Sequence, residues 1–248
     1  LKSFFDPSDA VLNPRDIVCA FTKKGPDRLA LPGRALIVFA PGDLAGLVRD
    51  LRLSPVADWR PFRQLYVTGG GGTVVTRSHF GGPAIAALVE ELAAFGVQEF
   101  CLWGYCGAIG PDLAIGDCLV AVAALREDGI SYHYLHDEDD VIGSEWAPAW
   151  VSQAQASGFR SGVIWSSDAI YRETTDKIRA YAGRGMLGVE METASFYAVC
   201  RQRGLRGVAF LVVSDLLTPE RWTGGFGSGP LKAGARNMAD FLKTYVTT

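Results

Sequence analysis

The chain reads as an α/β protein built on a mixed sheet, and three observations lead there. Short unbroken apolar runs, bounded by glycine, proline or aspartate, alternate with stretches whose apolar residues recur at helical spacing. One pair of runs flanks the four glycines Gly69 to Gly72, the mark of a hairpin that adds antiparallel pairing. The length of 248 residues, 48% of them apolar, with a formal charge of −3, suits one large core. Residues 1–248 are therefore expected to form a single domain, with 1–33 as a surface extension, because Pro, Asp and Lys mix there without a period.

Arg34 to Ala40 reads as the first buried strand, stopped by Pro41-Gly42-Asp43, and Leu44, Leu47, Val48 and Leu51 mark the helix after it. Leu65–Thr68 and Thr73–Thr76 are the hairpin strands. The intervening glycines are read as a turn rather than a phosphate loop, since no Gly-Lys-Ser/Thr and no helix start follows. From Gly81-Gly82-Pro83, the residues Ile85, Leu88, Val89 and Leu92 predict an amphipathic helix ending near Gly96. Phe100 to Gly104 is the next strand, running into a small-residue turn, Tyr105 to Gly110. Asp117 to Ala123 is another strand, and Arg126 to Asp140 a polar connection. Ser161 to Asp168 reads as a strand with a polar end. Val208 to Val213 is a strand buried on both faces, which places Asp215 at its carboxyl end, and Gly224 to Pro230 is a flexible loop able to close over a ligand.

Several classes are disfavoured. No basic run offers a phosphate backbone its partner, so no nucleic acid is expected. No apolar segment reaches the length of a membrane span and the N-terminus lacks a signal pattern, so neither membrane nor secretion is supported. Cys19, Cys101, Cys106, Cys118 and Cys200 form no CxxC pair, which fits reduced thiols in a cytoplasm. His133, His136, Asp137, Asp139 and Asp140 have metal-ligand chemistry, but acidic loops are usually solvated, and no metal is expected.

The most informative stretch is Gly188-Val189-Glu190-Met191-Glu192-Thr193-Ala194, followed by Ser214-Asp215. With Pro41-Gly42-Asp43, Phe80-Gly81-Gly82-Pro83, Gly104-Tyr105-Cys106-Gly107-Ala108-Ile109 and Ser166-Ser167-Asp168, it resembles the nucleoside phosphorylase and uridine phosphorylase superfamily, which also contains nucleoside hydrolases. The resemblance runs from about residue 34 to 245. It implies a three-layer α/β/α sandwich around a central mixed, mostly parallel sheet, assembled as dimers or trimers of dimers, with nucleoside and inorganic phosphate as substrates and no cofactor.

Breaking an N-glycosidic bond builds positive charge on the ribose and negative charge on the base, so a carboxylate is wanted at the sugar and an acid at the base. Glu192 and Asp215 are the catalytic candidates. An ionised Glu192 can accept both ribose hydroxyls above the soft surface of Met191. Asp215, protonated if burial raises its pKa, can donate to a purine ring nitrogen. Glu190, adjacent and pointing elsewhere, is read as structural. Gly107, Tyr105, Ile170, Tyr171 and His133 complete the substrate-binding candidates, and Gly42 and Arg60 the phosphate-binding ones. Relative to the family's pattern, Gly46 and Leu102 stand where phosphate-holding arginines are found, Tyr105 replaces a Ser or Thr, and Ile170 replaces a stacking aromatic. Arg77 is a possible substitute for the missing charge, and Arg221 a possible partner of Asp215. Three readings stay open: a purine-type nucleoside phosphorylase, a nucleoside hydrolase with Asp43 as general base, and a non-catalytic nucleoside-binding protein.

Overall fold

The computed structural model describes residues 4–136 and 139–247. Among these, the helices are α1 (Pro14–Thr22), α2 (Pro41–Asp50), α3 (Gly82–Ala94), α4 (Ser131–Tyr134), α5 (Pro148–Ala156), α6 (Thr175–Gly183), α7 (Thr193–Arg203) and α8 (Gly229–Thr247). The strands are β1 (Arg34–Val38), β2 (Ser54–Pro55), β3 (Leu65–Val67), β4 (Thr73–Arg77), β5 (Glu99–Ala108), β6 (Cys118–Glu127), β7 (Val141–Gly143), β8 (Arg160–Ser167), β9 (Gly188–Glu190), β10 (Arg206–Leu217) and β11 (Trp222–Gly224).

Alternation along the strands sorts the core into two faces. Ala35 and Ile37 of β1, Phe100 and Leu102 of β5, and Ala209, Leu211 and Val213 of β10 pack against α1, α3 and α7. Leu36 and Val38, Cys101 and Trp103, and Val208, Phe210 and Val212 pack on the other side against α2, α5 and α8. The result is the three-layer α/β/α sandwich. Its longest ladders, β5 with β10 and β6 with β8, are parallel, and the antiparallel pairings, including the β3–β4 hairpin, are short. The sheet also curls: β5, β10, β6, β8 and β9 pair in succession, and β9 returns to β5.

Several elements extend beyond their apolar runs. The expected turn from Tyr105 onward is the second half of β5, where small residues let two further strands approach. Asp215 lies inside β10, just past a register shift between Val213 and Asp215, rather than at the strand's end. The segment read as a glycine loop instead holds the end of β11 and the start of α8, with a turn between them. Pro41-Gly42-Asp43 is the first turn of α2, where proline costs no hydrogen bond. Within 1–33, α1 is capped by the Asn13 side chain and buries Val18, and Leu29 is also fully buried.

Candidate active site

Gly107 is the pivot. On one side it pairs with Val189 of β9 and on the other with Asp215 of β10, so the two motifs singled out in the sequence flank one residue. A Cβ on Gly107 would lie 2.1 Å from Leu217 Cδ1 and 2.9 Å from Asp215 Oδ2, so only glycine lets the Asp215 carboxylate lie across the strand. Next to Gly107, the buried Cys106 thiol lies within the fields of Glu190 and Asp215, and burial followed by these charges pushes its pKa well up.

The turn from β9 into α7 is built by Glu190. Its carboxylate accepts the Ser166 hydroxyl at 2.5 Å and the backbone N–H groups of Glu192 and Thr193 at 2.8 Å each. Its partners are two backbone N–H groups of the turn and a hydroxyl of the neighbouring strand β8, an arrangement that ties the turn to the sheet. The turn carries the half-buried Met191 and sets Glu192 at the N-cap of α7. Glu192 is buried, and its Oε1 accepts the Gly81 N–H at 2.5 Å. Gly81 has φ +97, a conformation open to glycine, which is how the chain turns that N–H toward the carboxylate before entering α3. Burial, and then the neighbouring Glu190 charge, push the Glu192 pKa up to about 8.

Asp215 is held differently. Ser214 Oγ donates to its Oδ1 at 2.6 Å, and Trp222 Nε1 donates to its Oδ2 at 2.8 Å. The expected partner, Arg221, instead uses its backbone N–H on Thr218, while the next residue along reaches the acid from β11. Trp222 is 61% exposed and tilts against Phe226, with ring centroids 6.2 Å apart.

Among the phosphate-binding candidates and their neighbours, the Tyr105 hydroxyl donates to Asp43 Oδ2 at 2.7 Å, joining β5 to the first turn of α2. Burial raises the Asp43 pKa and the Tyr105 hydrogen bond opposes that rise. Leu102 is fully buried in the core, and Gly46 faces open space. Gly42 is exposed at the start of α2, Arg60 is exposed after a short 3-10 turn, and Arg77 ends β4 in register with Val38.

The remaining substrate-binding candidates are more peripheral. Ile170 and Tyr171 sit on a 3-10 turn after β8, 53% and 95% exposed. His133, on α4, stacks on Phe4 with ring centroids 5.1 Å apart, so within one chain its recorded aromatic partner is the N-terminal segment. Asp137 lies outside the described residues; among those described, no group of three or more His, Cys, Asp or Glu side chains is arranged to hold a metal. Sequence reasoning missed Trp222 and the nearby Glu173. The signal available for Trp222 was an aromatic placed to continue a hairpin from Asp215, and Glu173 had none beyond its place after the β8 motif.

These features define a class: a three-layer α/β protein whose acidic side chains gather where β5, β9 and β10 meet. Known proteins narrow it. The model of the phosphorylase superfamily matches residues 34–247, and the chain belongs to that family. It is 29% identical to guanosine phosphorylase of Halorubrum lacusprofundi over 82% of this chain and 88% of that one. It is 30% identical to the DeoD-type purine nucleoside phosphorylase of Bacillus cereus over 75% and 84%, and 33% identical to uridine phosphorylase of Escherichia coli over 58% and 65%. The fold also matches the crystal structure of purine nucleoside phosphorylase from Toxoplasma gondii in complex with immucillin-H, with a TM-score of 0.74 at 21% identity over 86% of this chain and 90% of that one.

Proposed function

We propose that this protein cleaves the N-glycosidic bond of a purine nucleoside and transfers the ribosyl group to inorganic phosphate. Relatives named guanosine phosphorylase and purine nucleoside phosphorylase, similar along most of the chain, support this reading. The observation that carries it is that Gly107 pairs with Val189 of β9 and with Asp215 of β10, so that the strand leading into the turn with Glu192 and the strand bearing Asp215 meet at one residue. Ribose hydroxyls entering beside Glu192 bring donors that favour its ionised form, and the resulting carboxylate orients the sugar and faces the charge that develops on it. Met191 lies next to it as an apolar surface. Asp215 meets the base, with Ile170, Tyr171 and His133 on the periphery, and Tyr105 and Gly107 line the floor between the sugar and acceptor positions.

Phosphate is received at the start of α2, where the Gly42 N–H and the helix dipole favour an anion. Arg60 serves this site from a second copy of the chain, so the working form is a homo-oligomer, a dimer or trimer of dimers. The reaction needs no cofactor, and salvage of nucleosides places the protein in the cytoplasm.

A second reading, hydrolysis, is favoured by one feature: the acceptor position presents the Asp43–Tyr105 pair, with Gly46 and Leu102 where arginines would hold a dianion. Release of base from guanosine, inosine and uridine, with and without phosphate, separates the two. Phosphate-dependent release with ribose 1-phosphate as product supports the first reading, and phosphate-independent release of free ribose the second. Absence of release from every nucleoside overturns both. Replacing Glu192 with Gln should lower kcat/KM by roughly 100-fold or more, the worth of two charge-assisted hydrogen bonds.

A further inference from the structure

A purine leaves ribose with the electron pair of the broken bond, and that charge is relieved when a proton reaches ring nitrogen N7. Asp215 is poorly furnished to bring the proton. Its Oδ2 accepts from Trp222 Nε1, and because an indole N–H can only donate, that oxygen carries no proton; its Oδ1 is paired with Ser214 Oγ, which also lies 3.2 Å from the Cys106 carbonyl. A second carboxyl stands nearby. Glu173 follows the 3-10 turn Ile170–Arg172 at the end of β8, is half-buried, and has no hydrogen bond or ion pair recorded among the described residues. Thr175 Oγ1 donates to the Pro219 carbonyl at 3.3 Å, which ties this segment to the β10–β11 connection. The charged groups around Glu173 are Asp215 from β10, Glu127 from β6 and Lys177 from α6, and Lys177 is already paired with Glu127. Burial first, then Asp215, then Glu127 push the Glu173 pKa up to about 7, so near neutrality this carboxyl holds a proton for a large share of the time.

We propose that Glu173 delivers the proton to the departing purine, while Asp215, fixed by Ser214 and Trp222, orients the base as a hydrogen-bond acceptor. The inference rests on the reading of this site as one that cleaves purine nucleosides. In the step, the C1′–N9 bond breaks and its electron pair passes into the purine ring. N7 takes the proton from the Glu173 carboxyl, a phosphate oxygen bonds to C1′, and Glu173 is left as a carboxylate. Its half-exposed position lets water restore the proton between turnovers.

The test compares guanosine with 7-methylguanosine, whose N7 already carries a methyl group and needs no proton on departure. Glu173→Gln should lower kcat on guanosine by roughly 100-fold or more, the usual worth of a general acid, and lower kcat on 7-methylguanosine at least ten times less. Guanosine turnover by the parent should fall as pH rises through about 7, and that fall should vanish in the variant. Glu173→Asp, which keeps the carboxyl, should lie between parent and Gln. Equal losses on the two nucleosides, or an unchanged guanosine rate, would overturn the proposal. If the parent protein releases base from neither nucleoside, the reading of the site falls first, a result distinct from failure of the Glu173 role alone.

Discussion

Tyr105 Oη and Asp43 Oδ2 lie 2.7 Å apart, and this one bond ties β5 to the first turn of α2. A tyrosine there both fills space and supplies a neutral donor to a carboxylate whose pKa burial has raised. Removing only the hydroxyl, by Tyr105→Phe, should leave the half-buried Asp43 without that partner and cost about 1–3 kcal/mol in urea unfolding at neutral pH. The loss should shrink as pH falls through the raised pKa of Asp43 and the carboxyl takes up its proton. An equal cost throughout would mean that the bond does not bear on the charge of Asp43.

The proposed phosphate site can be tested by adding charge to α2. Gly46 lies in α2 and a Cβ there would meet nothing within 4 Å, so a side chain has room. Gly46→Arg should stabilise the helix by roughly 0.5–1 kcal/mol through propensity alone. If phosphate is the acceptor, it should also lower the KM for phosphate by roughly tenfold, as one charge-assisted pair would. Unfolding midpoints and phosphate titrations of base release check the two parts separately, and a gain in stability with no change in KM would place the acceptor elsewhere.

Much of the fold was legible because the strands are apolar runs with sharp boundaries. Arg34 to Ala40, the Gly69–Gly72 hairpin and the α3 pattern all appear close to where they were read. What escaped did so for physical reasons. Thr193 to Cys200 of α7 are all buried, so the helix has no polar face and no period to detect. Asp215 continues β10 because its pairing is with backbone, to which the polar side chain is irrelevant. At the site, Glu192 and Asp215 stood out by motif. Trp222 follows Pro219-Glu220-Arg221, which reads as a loop, and only the pairing of β10 with β11 carries it back to the acid.

Trp222 itself can be dissected. Trp222→Phe keeps an aromatic ring against Phe226 but deletes the N–H that Asp215 Oδ2 accepts. Because Trp222 is 61% exposed, stability should change by less than about 0.5 kcal/mol. The carboxylate, held by Ser214 alone, should orient the base less well, and kcat/KM for guanosine should fall roughly 5- to 50-fold. A variant as active as its parent would show that Ser214 suffices to place Asp215.

The buried acids also set how stability varies with pH. Glu192 stands at about 8 and Glu173 at about 7 in the folded protein, both above the ordinary value of 4.5. A carboxyl whose folded pKa is raised binds its proton more readily folded than unfolded. Its contribution is therefore complete below the unfolded value and is lost as pH rises through the folded one, at about 1.4 kcal/mol for each unit of separation. Resistance to urea should decline steadily from about pH 5 to about pH 8.5, the window those two groups span. Glu192→Gln carries no ionisable proton and leaves a neutral acceptor for the Gly81 N–H, so its decline should be shallower and its stability at alkaline pH higher than the parent's. A parent midpoint that holds level or rises across the window would mean that Glu192 is ionised in the empty site. The ribose hydroxyls would then meet a carboxylate already charged, and binding would take up no pH dependence from this residue.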